Sequence, residues 1–316
     1  MTYQESPTVF TCSQRRLVGI VTTPLGGQAE VGLIILVGGP QYRAGSHRQF
    51  TLLARALAAQ GISSLRFDYR GMGDSEGSTR DFTAIDADIA AAVDTLFTHA
   101  AQLRSVVLWG LCDAASAALM YAPTDPRETG LVLLNPWAPH APSRARARLK
   151  HYYGPKLLQW SLWTKMLAGR LRLHPAVREL LHALRLAYSL TRVRKPIVGT
   201  GAHRPTNTGD KCAASPLDSH CELLERMLSA LQSFFGEILF IFAGNDLTAR
   251  EFLALVDFEP EWYSACNRPG ITWELIPGAS HTFANAEWRE QVEGATVGFV
   301  LHKPAKPPIK HTPSRE

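Results

Sequence analysis

The strongest constraint on the fold is the segment Gly32-Leu-Ile-Ile-Leu-Val37, which is apolar without interruption and runs into Gly38-Gly39. It is too short for a buried helix and shows no apolar–polar alternation. It therefore reads as a strand buried on both faces. Comparable segments recur at 64–68, 106–109, 130–134, 238–242 and 272–276. Helical periodicity lies between them. Phe50, Leu53, Ala54 and Leu57 share one stripe, with Gly61 as a stop; Ile85, Ile89, Val93 and Leu96 share another. An Ala-rich helix is expected at 114–121 and a closing helix at 288–301. Segments 8–12 and 17–22 predict an antiparallel pair turning at Ser13-Gln14. Strand–helix alternation of this kind predicts an α/β fold, a mostly parallel sheet wrapped by helices on both faces. Active sites in such sheets lie at the carboxyl ends of the strands.

The turn after the third buried strand reads Trp109-Gly110-Leu-Cys112-Asp113-Ala114-Ala115-Ser116. Small residues two before and two after a cysteine, at a strand-to-helix junction, are the pattern of a nucleophile elbow with a thiol in place of a hydroxyl. The helix that follows aims its N-terminus at the sulfur and favours thiolate, while the neighbouring Asp113 opposes a second negative charge. Taken alone, the pattern also fits a buried structural cysteine. Its context decides: Ala243-Gly-Asn245-Asp246 follows the fifth buried strand, and Pro277-Gly-Ala-Ser-His281 follows the sixth. Nucleophile, acid and histidine thus occur in the chain order of the α/β-hydrolase triad, each just past a strand. His281 is expected as the base and Asp246 as the group that holds its tautomer; Asn245 is neutral and fits that role less well. The oxyanion hole is expected to use the backbone N–H of Asp113 and a second donor from Val37-Gly-Gly-Pro-Gln-Tyr42. Pro40 has no N–H, which leaves Gly39 or Gln41.

Over about 9–302 the chain resembles the α/β-hydrolase superfamily. Arg66-Phe-Asp-Tyr-Arg-Gly-Met-Gly-Asp-Ser-Glu-Gly77 resembles the superfamily's loop after its fourth strand, which implies structural roles for its Asp and Gly residues. Three blocks, Val37-Gly-Gly-Pro-Gln-Tyr-Arg-Ala-Gly-Ser-His-Arg-Gln-Phe50, Trp109-Gly-Leu-Cys-Asp-Ala-Ala-Ser-Ala-Ala118 and Leu133-Leu-Asn-Pro-Trp137, more closely resemble the exosortase A system-associated hydrolase 1 family. That resemblance implies a bacterial protein tied to exopolysaccharide and protein-sorting loci, and supplies no substrate. A cysteine nucleophile on this fold is also similar to dienelactone hydrolase. Ala114 stands where the elbow usually has glycine, and no histidine precedes Gly38.

About a hundred residues separate the fourth and fifth buried strands. This predicts a helical cap inserted at 137–233 between core segments 1–136 and 234–302, with a disordered Pro/Lys-rich tail at 303–316. The net charge of +5 hides an asymmetry: residues 137–211 hold fifteen Lys and Arg against two acids, Glu179 and Asp210. Such a surface is either a solvated helical face or a docking face for an anionic lipid or an acyl-carrier protein. No nucleic-acid module accompanies it. Cys212, His220 and Cys221 lack a second ligand pair, and Gly199-x-Gly201 is followed by no Lys-Ser/Thr, so neither a metal nor a cofactor is expected. No apolar run approaches the ~18 residues of a membrane span. Residues 1–16 are polar with no secretory core. Five cysteines at unrelated spacings read as reduced thiols. The location expected is cytoplasmic, with peripheral attachment at the inner membrane as the reading the basic cap adds. The expected function is hydrolysis of ester, lactone or thioester bonds by Cys112, His281 and Asp246, on a small-molecule or carrier-borne substrate. An acyltransferase on the same triad and a non-catalytic scaffold are the alternatives.

Overall fold

The computed structural model describes residues 2–39, 41–139 and 216–302, with side chains described from 220 in the last stretch. The chain divides into two compact units, 1–138 with 225–316, and 139–224. Of the expected cap at 137–233, residues 140–215 with Cys212 and the basic run, and the tail after 302, lie outside the described residues.

The described elements follow in order: β1 (Tyr3–Cys12), β2 (Arg15–Pro24), β3 (Val31–Leu36), α1 (Gln49–Ala59), β4 (Ser64–Phe67), α2 (Asp86–His99), β5 (Ser105–Leu111), α3 (Asp113–Tyr121), β6 (Glu128–Leu134), α4 (Pro216–Ser233), β7 (Glu237–Ala243), α5 (Leu247–Phe258), α6 (Pro260–Cys266), β8 (Ile271–Ile276) and α7 (Ala286–Leu301). One eight-stranded sheet has the order β1-β2-β4-β3-β5-β6-β7-β8. β1, β2 and β4 pair antiparallel; from β4 through β8 every pairing is parallel.

Every residue of β3, β4 and β5 is buried, as continuous apolar runs require when helices cover both faces. On one face Leu33, Ile35, Val107, Trp109, Val132 and Ile241 pack with Phe50, Leu53 and Leu57 of α1 and with Val292 and Val300 of α7. The ring of Phe50 meets Trp109 edge-on, centroids 5.5 Å apart. β1 and β2 extend well beyond the predicted 8–12 and 17–22. The added residues, Tyr3-Gln-Glu-Ser-Pro7, Arg15-Arg16 and Thr23-Pro24, are mostly polar, so an apolar count misses them. The turn falls at the predicted pair, with Ser13 and Gln14 at φ 47° and 62°, the left-handed turn that joins twisted strands tightly. α5 and α6, between β7 and β8, were not anticipated from the sequence.

The loop after β4 is a polar knot that braces the sheet's carboxyl edge. The Asp68 carboxylate, fully buried, accepts the Arg43 N–H at 2.6 Å and the Asp74 N–H at 3.1 Å, and pairs with the Arg43 guanidinium. The buried Arg70 guanidinium donates twice to Asp88 of α2, both at 2.8 Å, and its N–H donates at 3.0 Å. Asp88 is fully buried, so removing it strands a charge without its counter-ion. Asp88→Ala is expected to cost roughly 3–5 kcal/mol in a urea unfolding curve. Glu76→Ala, which breaks only the exposed pair with Arg16, is expected to leave the curve nearly unchanged.

Candidate active site

Cys112 sits between β5 and α3 with φ 62° and ψ −121°, a backbone conformation that a side chain resists. The surroundings enforce it. The Cys112 N–H donates to Leu134 O at 2.9 Å, and its carbonyl accepts N–H groups from Ala115 at 3.1 Å and Trp137 at 3.2 Å. Ser116 Oγ donates to Trp137 O at 2.5 Å, fastening the start of α3 to the chain after β6. A Cβ at position 110 would stand 2.5 Å from Ala114 O, so only glycine fits two residues before the cysteine. Two residues after it, Ala114 is accommodated because Gly38 faces it. The sulfur-bearing residue is half-buried. By contrast Cys12 and Cys266 are buried, and burial pushes the Cys266 thiol up to about 12.

Asp246 caps α5, accepting the Ala249 N–H at 3.0 Å, and lies 3.0 Å from Nδ1 of His281. The Cys112 side chain is close enough to the His281 ring to act on it, and with Nδ1 turned to Asp246 the ring nitrogen left over is Nε2. The side chains of Cys112, His281 and Asp246 thus come together from three loops, with the His281–Asp246 contact at 3.0 Å. Burial pushes the Asp246 carboxyl upward, but hydrogen bonds from His281 and the Ala249 N–H outweigh it and hold the group below the usual carboxylate range. Its bond to Asp246, then its bond to Cys112, raise His281 to about 10 against the opposing effect of burial.

One residue the sequence reading passed over joins these loops. Asn135, fully buried and at φ 42°, follows β6. Its Oδ1 accepts the Ala243 N–H at 2.8 Å at the end of the acid strand, and its Nδ2 donates to the His281 carbonyl at 3.1 Å. The Asn245 N–H adds a further tie, to Ala279 O at 2.9 Å. The available signal was a polar side chain set directly behind the buried-type run of β6.

The expected oxyanion donors are already engaged. The Gly39 N–H donates to both carboxylate oxygens of Asp113, at 2.9 and 3.0 Å. The Gln41 N–H donates to Gly39 O at 2.9 Å, and the Gln41 side chain accepts the Ser46 N–H at 3.0 Å and the Ser46 hydroxyl at 3.2 Å. Of the two, only Gly39 directs its N–H toward the start of α3. Among the described residues no cluster of three or more His, Cys, Asp or Glu side chains could hold a metal. No described helix is long and apolar enough to cross a membrane.

A mostly parallel sheet flanked by helices, with a strained strand-to-helix turn and an acidic residue and a histidine after later strands, is the α/β-hydrolase architecture. The chain belongs to the alpha/beta hydrolase family, whose model matches residues 33–295. Solved structures of similar fold include an esterase from Pyrococcus furiosus (TM-score 0.59, 14% identity, 95% of this chain and 92% of that one). Others are Est1E from Butyrivibrio proteoclasticus with ferulic acid bound (0.58, 16%, 95% and 100%) and a proline iminopeptidase from Mycobacterium smegmatis (0.56, 17%, 94% and 98%). A search of curated proteins returns no match.

The Asp246–His281 pair dictates a pH dependence of stability. His281 is raised in the folded protein, so its contribution is complete below its ordinary value of 6.5 and is lost as pH rises toward about 10. Asp246 is lowered, so its contribution is present above the ordinary 3.8 and is lost only as pH falls below that. In denaturant titrations, the stability difference between wild type and His281→Ala is expected to shrink steadily from pH 6.5 to 10. A difference that stays constant across that window contradicts the pairing.

Proposed function

We propose that this chain is a cysteine-dependent hydrolase that cleaves ester, lactone or thioester bonds through an acyl-thioester on Cys112. The observation that carries the reading is the relay at the elbow. His281 has one ring nitrogen 3.0 Å from Asp246 and lies within reach of Cys112, whose backbone holds a strained conformation at a strand-to-helix turn.

In the first half-reaction the Cys112 sulfur attacks the acyl carbon. The S–C bond forms and the carbonyl π pair moves onto oxygen. Collapse expels the alcohol or thiol, which takes its proton from the His281 imidazolium. In the second half-reaction His281, now neutral, removes a proton from water. The hydroxide adds to the thioester carbon, and collapse releases the carboxylic acid and the Cys112 sulfur. Asp246 holds Nδ1–H throughout and stabilises the imidazolium. A thiol leaves as readily as it attacks, so an adduct with an amide reverts unless the amine is protonated well. Oxygen esters, lactones and thioesters are therefore the favoured substrates.

The resemblance stated above supports a bacterial setting beside exopolysaccharide and protein-sorting loci, in the cytoplasm, with a small-molecule or carrier-borne acyl donor. A second reading, a non-catalytic scaffold on the same fold, draws on the engaged Gly39 N–H.

Turnover separates the two. On a panel of p-nitrophenyl esters, lactones and thioesters, Cys112→Ala and His281→Ala are each expected to lower kcat by about 10³-fold or more, and the double variant little further, because the groups act as a unit. Wild-type turnover no better than Cys112→Ala on every donor would remove the hydrolase reading in favour of the scaffold.

A further inference from the structure

The side chain of Asp113 has no part in the triad, yet it engages the Gly39 N–H, which the sequence offered as an oxyanion donor. Its carboxylate accepts the Gly39 N–H at 2.9 and 3.0 Å, the Ala114 N–H at 2.9 Å, and a contact from its own backbone N–H. The N–H groups of Gly39 and Asp113 are the two donors that an acyl oxyanion needs. A carboxylate oxygen and a tetrahedral oxyanion are alike to those donors: each is an anionic acceptor that takes convergent N–H bonds.

The arrangement is built rather than incidental. Any side chain at position 38 would collide with Asp113 Oδ1, so Gly38 makes the space the carboxylate fills. The surroundings do not favour the charge. Burial raises the Asp113 carboxyl more than its N–H bonds lower it, and Asp81 adds to the rise. Tyr69, buried nearby, is itself pushed up to about 12 by burial and then by the Asp113 charge. An anion held by good donors in poor surroundings can be displaced.

We propose that the Asp113 carboxylate is an internal oxyanion mimic that fills the donor pair at rest and must release it before Cys112 can be acylated. The inference rests on the cysteine-hydrolase reading and names the step that Asp113 limits. As sulfur attacks and the carbonyl π pair moves to oxygen, the new oxyanion takes the Gly39 and Asp113 N–H bonds and the carboxylate gives them up. Asp113 is thus a gating residue, and its release is part of the acylation barrier.

Two reactions at the same sulfur isolate this effect. Alkylation by iodoacetamide displaces iodide at a saturated carbon and develops no oxyanion; acylation by p-nitrophenyl acetate does. The readout is the ratio of acylation to alkylation rate at Cys112, which cancels any change in the reactivity of the sulfur itself. In Asp113→Asn, the isosteric neutral variant, the ratio is expected to rise about tenfold or more, with the ~10²–10³ of one oxyanion donor as the ceiling. Asp113→Ala should rise likewise, with melting curves as the check on folding. Acylation of Asp113→Asn where wild type shows none also supports the gate. A ratio that is unchanged or lower in Asp113→Asn, with wild type acylated, overturns the gate and leaves the hydrolase reading intact. Absence of acylation in both proteins overturns the two together.

Discussion

The site depends on one residue held where its side chain does not wish to be. Cys112 pays a conformational penalty, on the order of 1–3 kcal/mol for such a backbone, and the rest of the fold over-determines it. β5 delivers the chain from a fully buried strand, Gly110 lets α3 turn back against it, and the Cys112 backbone bonds to Leu134 and Trp137 hold the reversal from the side of β6. The result lifts a thiol off the carboxyl edge of the sheet at the start of a helix. A thiol in the core, as Cys266 is, is instead pushed up to about 12 by burial.

The second dependency is the geometry of three neighbouring loops. β6, β7 and β8 are adjacent and parallel, so their ends emerge side by side next to β5. Asn135 uses that adjacency, bonding the end of the acid strand with one amide atom and the histidine loop with the other. A buried amide satisfied on both sides is a spacer of fixed length, and it costs stability to leave either partner unmatched. The electrostatics oppose each other around the sulfur. Asp246 favours the charged form of His281, while the Asp113 carboxylate beside Cys112 is held by the Gly39 and Ala114 N–H groups. The balance between them is the character of the site.

The sheet was legible because parallel strands buried on both faces must be apolar throughout, as Gly32-Leu-Ile-Ile-Leu-Val37 is. Cys112 and Asp246 were legible as positions, since each follows such a run. His281 follows β8, which the sequence offered as another buried run and which the structure places at the sheet edge with half of its residues exposed, yet the three residues come together. What stayed hidden has a common cause: it depends on contacts between segments distant in sequence. The Asp113 side chain meets Gly39, 74 residues away, and Asn135 meets His281, 146 residues away; neither pairing leaves a local pattern. Gly39 and Gln41 were equal as donors by sequence. The fold separates them, because the Gln41 N–H closes a turn onto Gly39 O. The outer ends of β1 and β2 were missed for a simpler reason: β1 is an edge strand that needs no continuous apolar run, and β2 is flanked by β4 only at Gly19 to Thr22.

The central claim is that Cys112 becomes covalently acylated. The direct measurement is rapid acid quenching during turnover of a p-nitrophenyl ester or acyl thioester, followed by intact-mass and peptide-mass analysis. The account predicts one acyl increment per chain, confined to the peptide that carries Cys112, absent in Cys112→Ala, and persisting longer in His281→Ala if any forms there. An acyl group on another residue, or turnover that proceeds with no covalent adduct in wild type or variant, would contradict it.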